Sequence, residues 1–210
     1  MAEKSSFFNS VDGDRQYDME VFATYFKQFL TSGLYHQNHQ PSLGITHVSG
    51  LQTKLETGSA YLEGFMYENT EEMVFIHDAA DATNPRIDRI VLKLDRDINA
   101  REIKAGIKKG VPATTPLPPI LQRDDIVYEM SLAQIKINAG ETTIHSITDE
   151  RFNEEVCGLV SSLITVPTDE LQRQWNEWFS GVQNEIGARI LIGDNEPQNA
   201  ITGDIWIKSI

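Results

Sequence analysis

Arg86-Ile-Asp-Arg-Ile-Val-Leu-Lys-Leu-Asp95 is the stretch whose reading decides the fold. Ile90, Leu92 and Leu94 share one face with Arg86 and Asp88, while Arg89, Val91, Lys93 and Asp95 share the other. A period of two marks a strand. An inward Asp88 requires a cationic or backbone partner, because an unpaired buried carboxylate is very costly; Arg86 and Arg151 are the candidates. Downstream, the charged stretch Arg101-Glu-Ile-Lys104 leads to Gly110 and a proline-rich loop. Thr114-Thr-Pro-Leu-Pro-Pro119 is excluded from a central strand, since proline offers no N–H to a ladder. It reads as an extended surface connection, with a peptide-recognition motif as the alternative. Strand character returns over Ile126 to Ile137, and the apolar phase slips near Leu132-Ala133, which predicts a bulge. A turn at Asn138-Ala-Gly140 precedes Ile144-His-Ser-Ile-Thr-Asp-Glu-Arg151, with Cys157-Gly158 close behind.

Working outward, the N-terminal side predicts a helix capped by Asp18 and stopped by Gly33. Val21, Phe22, Tyr25, Phe26, Phe29 and Leu30 form a broad aromatic face on it, expected to bury against a sheet; a ligand-lining stripe is the alternative. From Ile45 the period drops to two, with Leu51, Thr53 and Leu55 alternating with polar residues. Gly58-Ser59 reads as a hairpin turn, Ala60 to Tyr67 as the return strand, and Met73 to His77 as a third strand of an antiparallel meander.

After Arg151 the pattern changes. Thr168 or Asp169 can cap a helix reaching Ile186, on which Leu171, Trp175, Trp178, Val182 and Ile186 approach a heptad seam. This segment is too short for a self-sufficient coiled coil. The packing stripe Leu171, Trp175, Trp178 and Val182 must therefore meet the main domain or the same helix of another copy. Turn residues at Gly193-Asp-Asn-Glu-Pro197 and Thr202-Gly-Asp204 frame one apolar strand, Ile205-Trp-Ile207. The expected class is α+β, mainly β: an antiparallel β-sandwich with a packed N-terminal helix over residues 1–155, then a C-terminal helix and short β extension over residues 156–210.

The order from Arg86 to Gly158 resembles the N-terminal domains of tail-tip proteins from phages and prophages of Gram-positive bacteria, which sit at the baseplate or adsorption apparatus. Their fold is similar to the shoulder domain of siphophage receptor-binding proteins. The resemblance spans roughly residues 5–155, and Gly203-Asp-Ile-Trp206 resembles a short element of phage tail-fibre proteins. It implies a non-enzymatic structural or adaptor protein of the distal tail, made in the bacterial host cytoplasm and linking host-recognition components to the tail. It also implies other tail or baseplate proteins as partners and a homo-oligomer, with a trimer favoured. The chain departs from a complete receptor-binding protein in carrying no evident glycan-binding head, which favours the adaptor role. A carbohydrate-binding module contacting host cell-wall glycan is the first alternative, and a cell-wall hydrolase the second.

Composition fits this picture. Across 210 residues the net charge is −13, which repels phosphate backbones and anionic lipid, so neither nucleic acid nor a membrane surface is an expected partner. The one basic cluster, Lys104 to Lys109, alternates with apolar residues and reads as a solvated edge. The opening Met-Ala-Glu-Lys-Ser-Ser has no apolar signal core, and no apolar run reaches the roughly 20 residues of a membrane span. A single cysteine, Cys157, excludes an internal disulfide and a multi-cysteine zinc site.

Candidate chemistry is sparse. His36-x-x-His39 is the only close histidine pair, placed in a loop by Gly33 and Pro41, with no third ligand at metal spacing. Asp149, Glu150 and Arg151 lie where salt bridges and caps are common. No Gly-x-Ser-x-Gly elbow supports a nucleophilic triad, and Gly106 to Gly110 lacks the Gly-Lys-Ser/Thr ending of a phosphate loop. No catalytic residue, cofactor or metal is expected.

Overall fold

The run from Arg86 to Asp95 is one strand, hydrogen-bonded along both edges to antiparallel neighbours. In the computed structural model, residues 3, 5–164, 168–186, 190–193, 195, 198 and 205–208 are described. Along the chain these form α1 (Met19–Phe26), β1 (Gly33–Leu34), β2 (His36–Gln37), β3 (Gln40–Pro41), β4 (Ile45–His47), β5 (Gln52–Leu55), β6 (Gly58–Leu62) and β7 (Phe65–Asn69). They continue with β8 (Met73–Ile76), β9 (Arg86–Asp95), β10 (Glu102–Lys108), β11 (Val127–Ile137), β12 (Ser146–Asp149), α2 (Asp169–Ile186), β13 (Ile190–Gly193) and β14 (Ile205–Lys208). Among the described residues the protein is mainly β, with several antiparallel sheets and two helices.

β9 sits inside a sheet of order β10-β9-β11-β12. Its alternation leaves Ile90, Leu92 and Leu94 in the core, and Arg89 and Val91 on the opposite face are buried as well. The slip in β11 is a bulge: Ser131 pairs with Val91 and Ala133 with Ile90, so Leu132 is the extra residue. The insertion resets the phase, and Met130, Leu132, Ala133, Ile135 and Ile137 are all buried. The basic cluster falls on the edge strand β10, and the proline-rich stretch carries no strand.

The expected meander does not form. β5 pairs with β4 and β8, while β6 pairs with β1 and β7, so neighbouring stretches divide between two sheets. Gly58-Ser59 opens β6 rather than turning a hairpin. The turn lies at Glu63-Gly64, where φ is 50° and 94° and Leu62 pairs with Phe65. Positive φ at both positions is the two-residue turn that matches strand twist, and glutamate is an unusual occupant of its first position. Side chains of β1, β5, β6, β9 and β11 nevertheless share one apolar core, including Leu34, Leu55, Leu62, Leu92 and Ile135.

Asp18 caps α1 as expected, accepting from Val21 N at 3.1 Å. The helix ends at Phe26, well short of Gly33, because the following residues pair with the returning chain: Leu163 N donates to Phe29 O at 2.8 Å and Thr31 N to Ser161 O at 3.0 Å. Gly33 is thus no helix stop. A Cβ there would lie 2.5 Å from the Leu159 carbonyl carbon, so glycine permits the close approach of two backbones. The same pairing corrects the boundary expected after residue 155, since the compact units are Met1–Ile164 and Thr165–Ile210. In the second unit α2 spans the expected residues, and β14 gains an unforeseen parallel partner in β13.

The aromatic face of α1 is not core. Ala23 is its one buried residue, whereas Phe22, Tyr25 and Phe26 are 40–46% exposed. The helix sets its smallest side chain against the tight turn at Gly64, whose Cβ would meet Ala23 O at 2.4 Å, and leaves the rings outside. Among the described residues no helix is long and apolar enough to cross a membrane.

Leu92→Ala is expected to cost about 2–5 kcal/mol through loss of transfer energy and an unfilled cavity. Phe26→Ala is expected to cost only about 1 kcal/mol, because about half of the 1.5–3 kcal/mol for full burial is at stake. Urea unfolding of both variants checks the contrast; equal losses would show that the α1 rings are packed after all.

Candidate functional site

Asp88 lies fully buried on β9, and its neighbours explain how a carboxylate survives there. Arg86, two residues earlier on the same face, donates from Nε at 3.1 Å. His77, which follows β8, donates from Nδ1 to Oδ2 at 2.9 Å, and the Gly110 N–H reaches Oδ1 at 2.9 Å. Gly110 allows that approach: a Cβ would sit 2.0 Å from Ile87 O. The remaining Arg86 N–H groups meet the carbonyls of Ala79, at 2.6 Å, and Asp78. Burial opposes ionisation of Asp88, yet the hydrogen bonds from His77 and Gly110 and the Arg86 charge outweigh it and hold the carboxyl below its usual range. Of the two cations that the sequence offers, Arg86 is the partner. Arg151 instead binds Asp149, at 2.7 Å.

On its far side the His77 ring meets Thr53 Oγ1 through Nε2 at 3.1 Å. Thr53, His77 and Asp88 therefore stand in the order nucleophile, base and orienting acid. The sequence suggested no triad, and spacings of 24 and 11 residues give no local motif. Thr53 and Asp88 have no exposure and His77 has 2%, so no substrate carbonyl reaches the hydroxyl in this arrangement. What the relay does is join the β4-β5-β8 sheet to β9.

A second buried node lies on the other face of β9. Arg89 grips Glu150 with Nε at 3.1 Å and Nη2 at 3.0 Å, and donates from Nη1 to Pro119 O at 2.7 Å. Ser131 and Gln134 also donate to Glu150, each at 2.5 Å. Burial again opposes the charge, and these bonds overcome it, so Glu150 too is lowered. Every described carboxyl whose titration shifts moves in the same direction: Asp78, Asp81, Asp88, Asp95, Asp124, Asp149, Glu150 and Glu170. A glycosidase acid is instead raised. Burial pushes the Cys157 thiol up to about 12, which leaves almost no thiolate at neutral pH.

The accessible features are aromatic. In the first unit the Phe7 ring lies 5.7, 5.3 and 5.0 Å from those of Tyr17, Phe22 and Tyr25, and Tyr25 continues the cluster to Phe26 and Phe29. A cavity of about 610 Å³ opens beside it, lined by Ser6, Phe7, Asp18, Glu20, Val21, Thr24, Tyr25 and Gln28. Phe7 holds φ at 68°, a strained value for a bulky residue. In the second unit Leu171, Trp175 and Trp178 are exposed on α2, with the indoles 5.1 Å apart. Phe179, which the stripe omitted, stacks at 6.5 Å from Trp175. The Val182 side chain lies outside the described residues.

His36 opens β2 and His39 lies in the turn before β3, their rings stacked at 5.4 Å. Among the described residues no three His, Cys, Asp or Glu side chains are grouped to hold a metal ion. No protein-family model matches the chain, and no curated protein matches its sequence.

Asp88→Asn is expected to cost about 3–5 kcal/mol, since it leaves the Arg86 guanidinium buried beside a neutral amide. A lowered folded pKa means that the carboxylate's contribution is complete above its unfolded pKa of about 3.9 and is lost as pH falls through the folded value. Denaturant titrations from neutral pH downward should therefore fall more steeply below about pH 4 for the wild type than for Asp88→Asn. Parallel acid limbs would show that Asp88 is not the group responsible.

Proposed function

We propose that the chain is a non-enzymatic structural or adaptor component of a siphophage distal tail, in the baseplate or adsorption apparatus. The observation that carries this reading is the distribution of side chains. The two hydrogen-bonded clusters of chemically capable groups, Thr53, His77 and Asp88 and then Arg89 and Glu150, are sunk in the interior as ties between strands. Large aromatics on α1 and α2 face outward instead. That is the disposition of a rigid platform with adhesive surfaces, and the reverse of an active site.

What supports this reading is that the strands from Arg86 to Asp149 follow the order of strand cores and turns on which the resemblance to shoulder domains rests. In this reading the β4-β5-β8 and β1-β6-β7 sheets form one layer of a sandwich, and the β10-β9-β11-β12 sheet forms the other. The protein works as a homo-oligomer, with a trimer favoured, among other tail or baseplate proteins. Gold-labelled antibody on intact virions tests the placement. Label at the distal tail is the expected result, and label confined to unassembled protein would overturn it. The pure protein is expected to release neither sugar nor peptide from cell walls.

One observation favours a second reading, a carbohydrate-binding module. The cavity beside Phe7 and Tyr25 brings aromatic faces together with the carboxylates of Asp18 and Glu20. Rings of this kind stack on sugars, and carboxylates accept from paired hydroxyls. Calorimetric titration with purified wall polysaccharide distinguishes the readings: saturable heat that Tyr25→Ala abolishes would establish the module, and absence of heat would remove it.

A further inference from the structure

We infer that the exposed face of α2 is a homotypic interface, on which the same helix of one or more further copies of this chain packs. The inference deepens the proposed assembly role and rests on it for its biological setting, though not for its physical argument. Written as heptads, Trp175 and Val182 occupy a positions, and Leu171 and Trp178 occupy d positions. Leu171, Trp175, Trp178 and Phe179 are 47–67% exposed, and their rings join into one slab through contacts at 5.1 and 6.5 Å. With about 150–250 Å² for each aromatic side chain, the face presents roughly 500 Å² of apolar surface. Two copies would then bury about 1,000 Å², the threshold for a specific interface.

Three features select an identical helix as the occupant. First, the charges of the aromatic segment keep away from the seam, and Glu185, at the next d position, lies beyond that segment. From Asp169 to Gly181 every charged residue, Asp169, Glu170, Arg173 and Glu177, falls at b, c or f. Arg173 satisfies its neighbours within the helix, reaching Glu170 and Glu177 at 2.5 Å each. Second, the flanking e and g positions hold Gln172, Gln174, Phe179 and Gly181, none of them charged. A chain carrying −13 repels itself wherever acids face acids, and these positions are where such pairs would meet. An oppositely charged partner would call for charged flanks. Third, Gly181 sits inside the helix, where glycine is destabilising relative to alanine. Nothing lies within 4 Å of the Cβ that it lacks, so no described neighbour requires it. Its place beside the seam lets a second backbone approach.

Sedimentation equilibrium of the full chain at micromolar concentration tests the inference. The expected mass is an integral multiple of the monomer. Trp175→Glu/Trp178→Glu should return it to the monomer while the thermal melt of the β domain is unchanged, and Arg173→Gln, on the opposite side, should leave the assembly intact. Should the glutamate pair disturb folding, Trp175→Gln/Trp178→Gln gives the same reading without charge. A monomeric wild type would overturn the inference and place the stripe within its own chain. Persistence of the oligomer in both tryptophan variants, or its loss in Arg173→Gln, would also overturn it. Virion labelling is independent of each of these results, so failure of this interface and failure of the tail assignment are separable.

Discussion

The Asp88 carboxylate is the point at which the first unit is tied together. It receives Arg86 from its own strand, His77 from beyond β8 and the Gly110 N–H from beyond β10, and His77 carries the tie on to Thr53 in β5. A charge without exposure survives only when its lone pairs are met, and here each partner comes from a different stretch of chain. The arrangement is self-consistent. Arg86 neutralises Asp88 while its other N–H groups fix the carbonyls of Asp78 and Ala79, so the loop leading into β9 is set by the same group that makes β9 tolerable in the core.

The second node repeats the device on the opposite face of β9. Arg89 and Glu150 bring the proline-rich loop, β11 and the end of β12 to one place. Apolar packing around Leu92 and Ile135 supplies the non-directional driving force, while the two nodes specify which strands and loops meet. Hydrogen-bond directionality does this in a way that aliphatic contact alone does not.

While these polar groups are used internally, aromatic side chains of α1 and α2 are left at the surface. The α1 rings meet each other, Phe7 and Phe29 and stay outside the core, because the helix approaches the rest of the domain through Ala23 at a turn with no side chain to spare at Gly64. A short contact of that kind brings backbones together and keeps bulky neighbours outside. The α2 rings are exposed on a helix whose Glu170, Arg173 and Glu177 run along its opposite side.

Local rules carried the sequence a long way. The period of two made β9 and β11 legible, the phase slip at Leu132-Ala133 announced the bulge, Asp18 announced its cap, and the stripe from Leu171 to Trp178 announced α2. The charge of Asp88 also demanded a partner, and Arg86 was among those foreseen. Each of these depends on residues a few positions apart. Pairing partners do not. That β5 joins β8 and not β6, that α1 stops at Phe26, that Gly33 serves a strand, and that Thr53, His77 and Asp88 converge were all decided by chain segments distant in sequence. The aromatic face of α1 shows the limit most plainly: amphipathic spacing determines which residues share a side of a helix, and only the approach of the rest of the chain decides whether that side is covered.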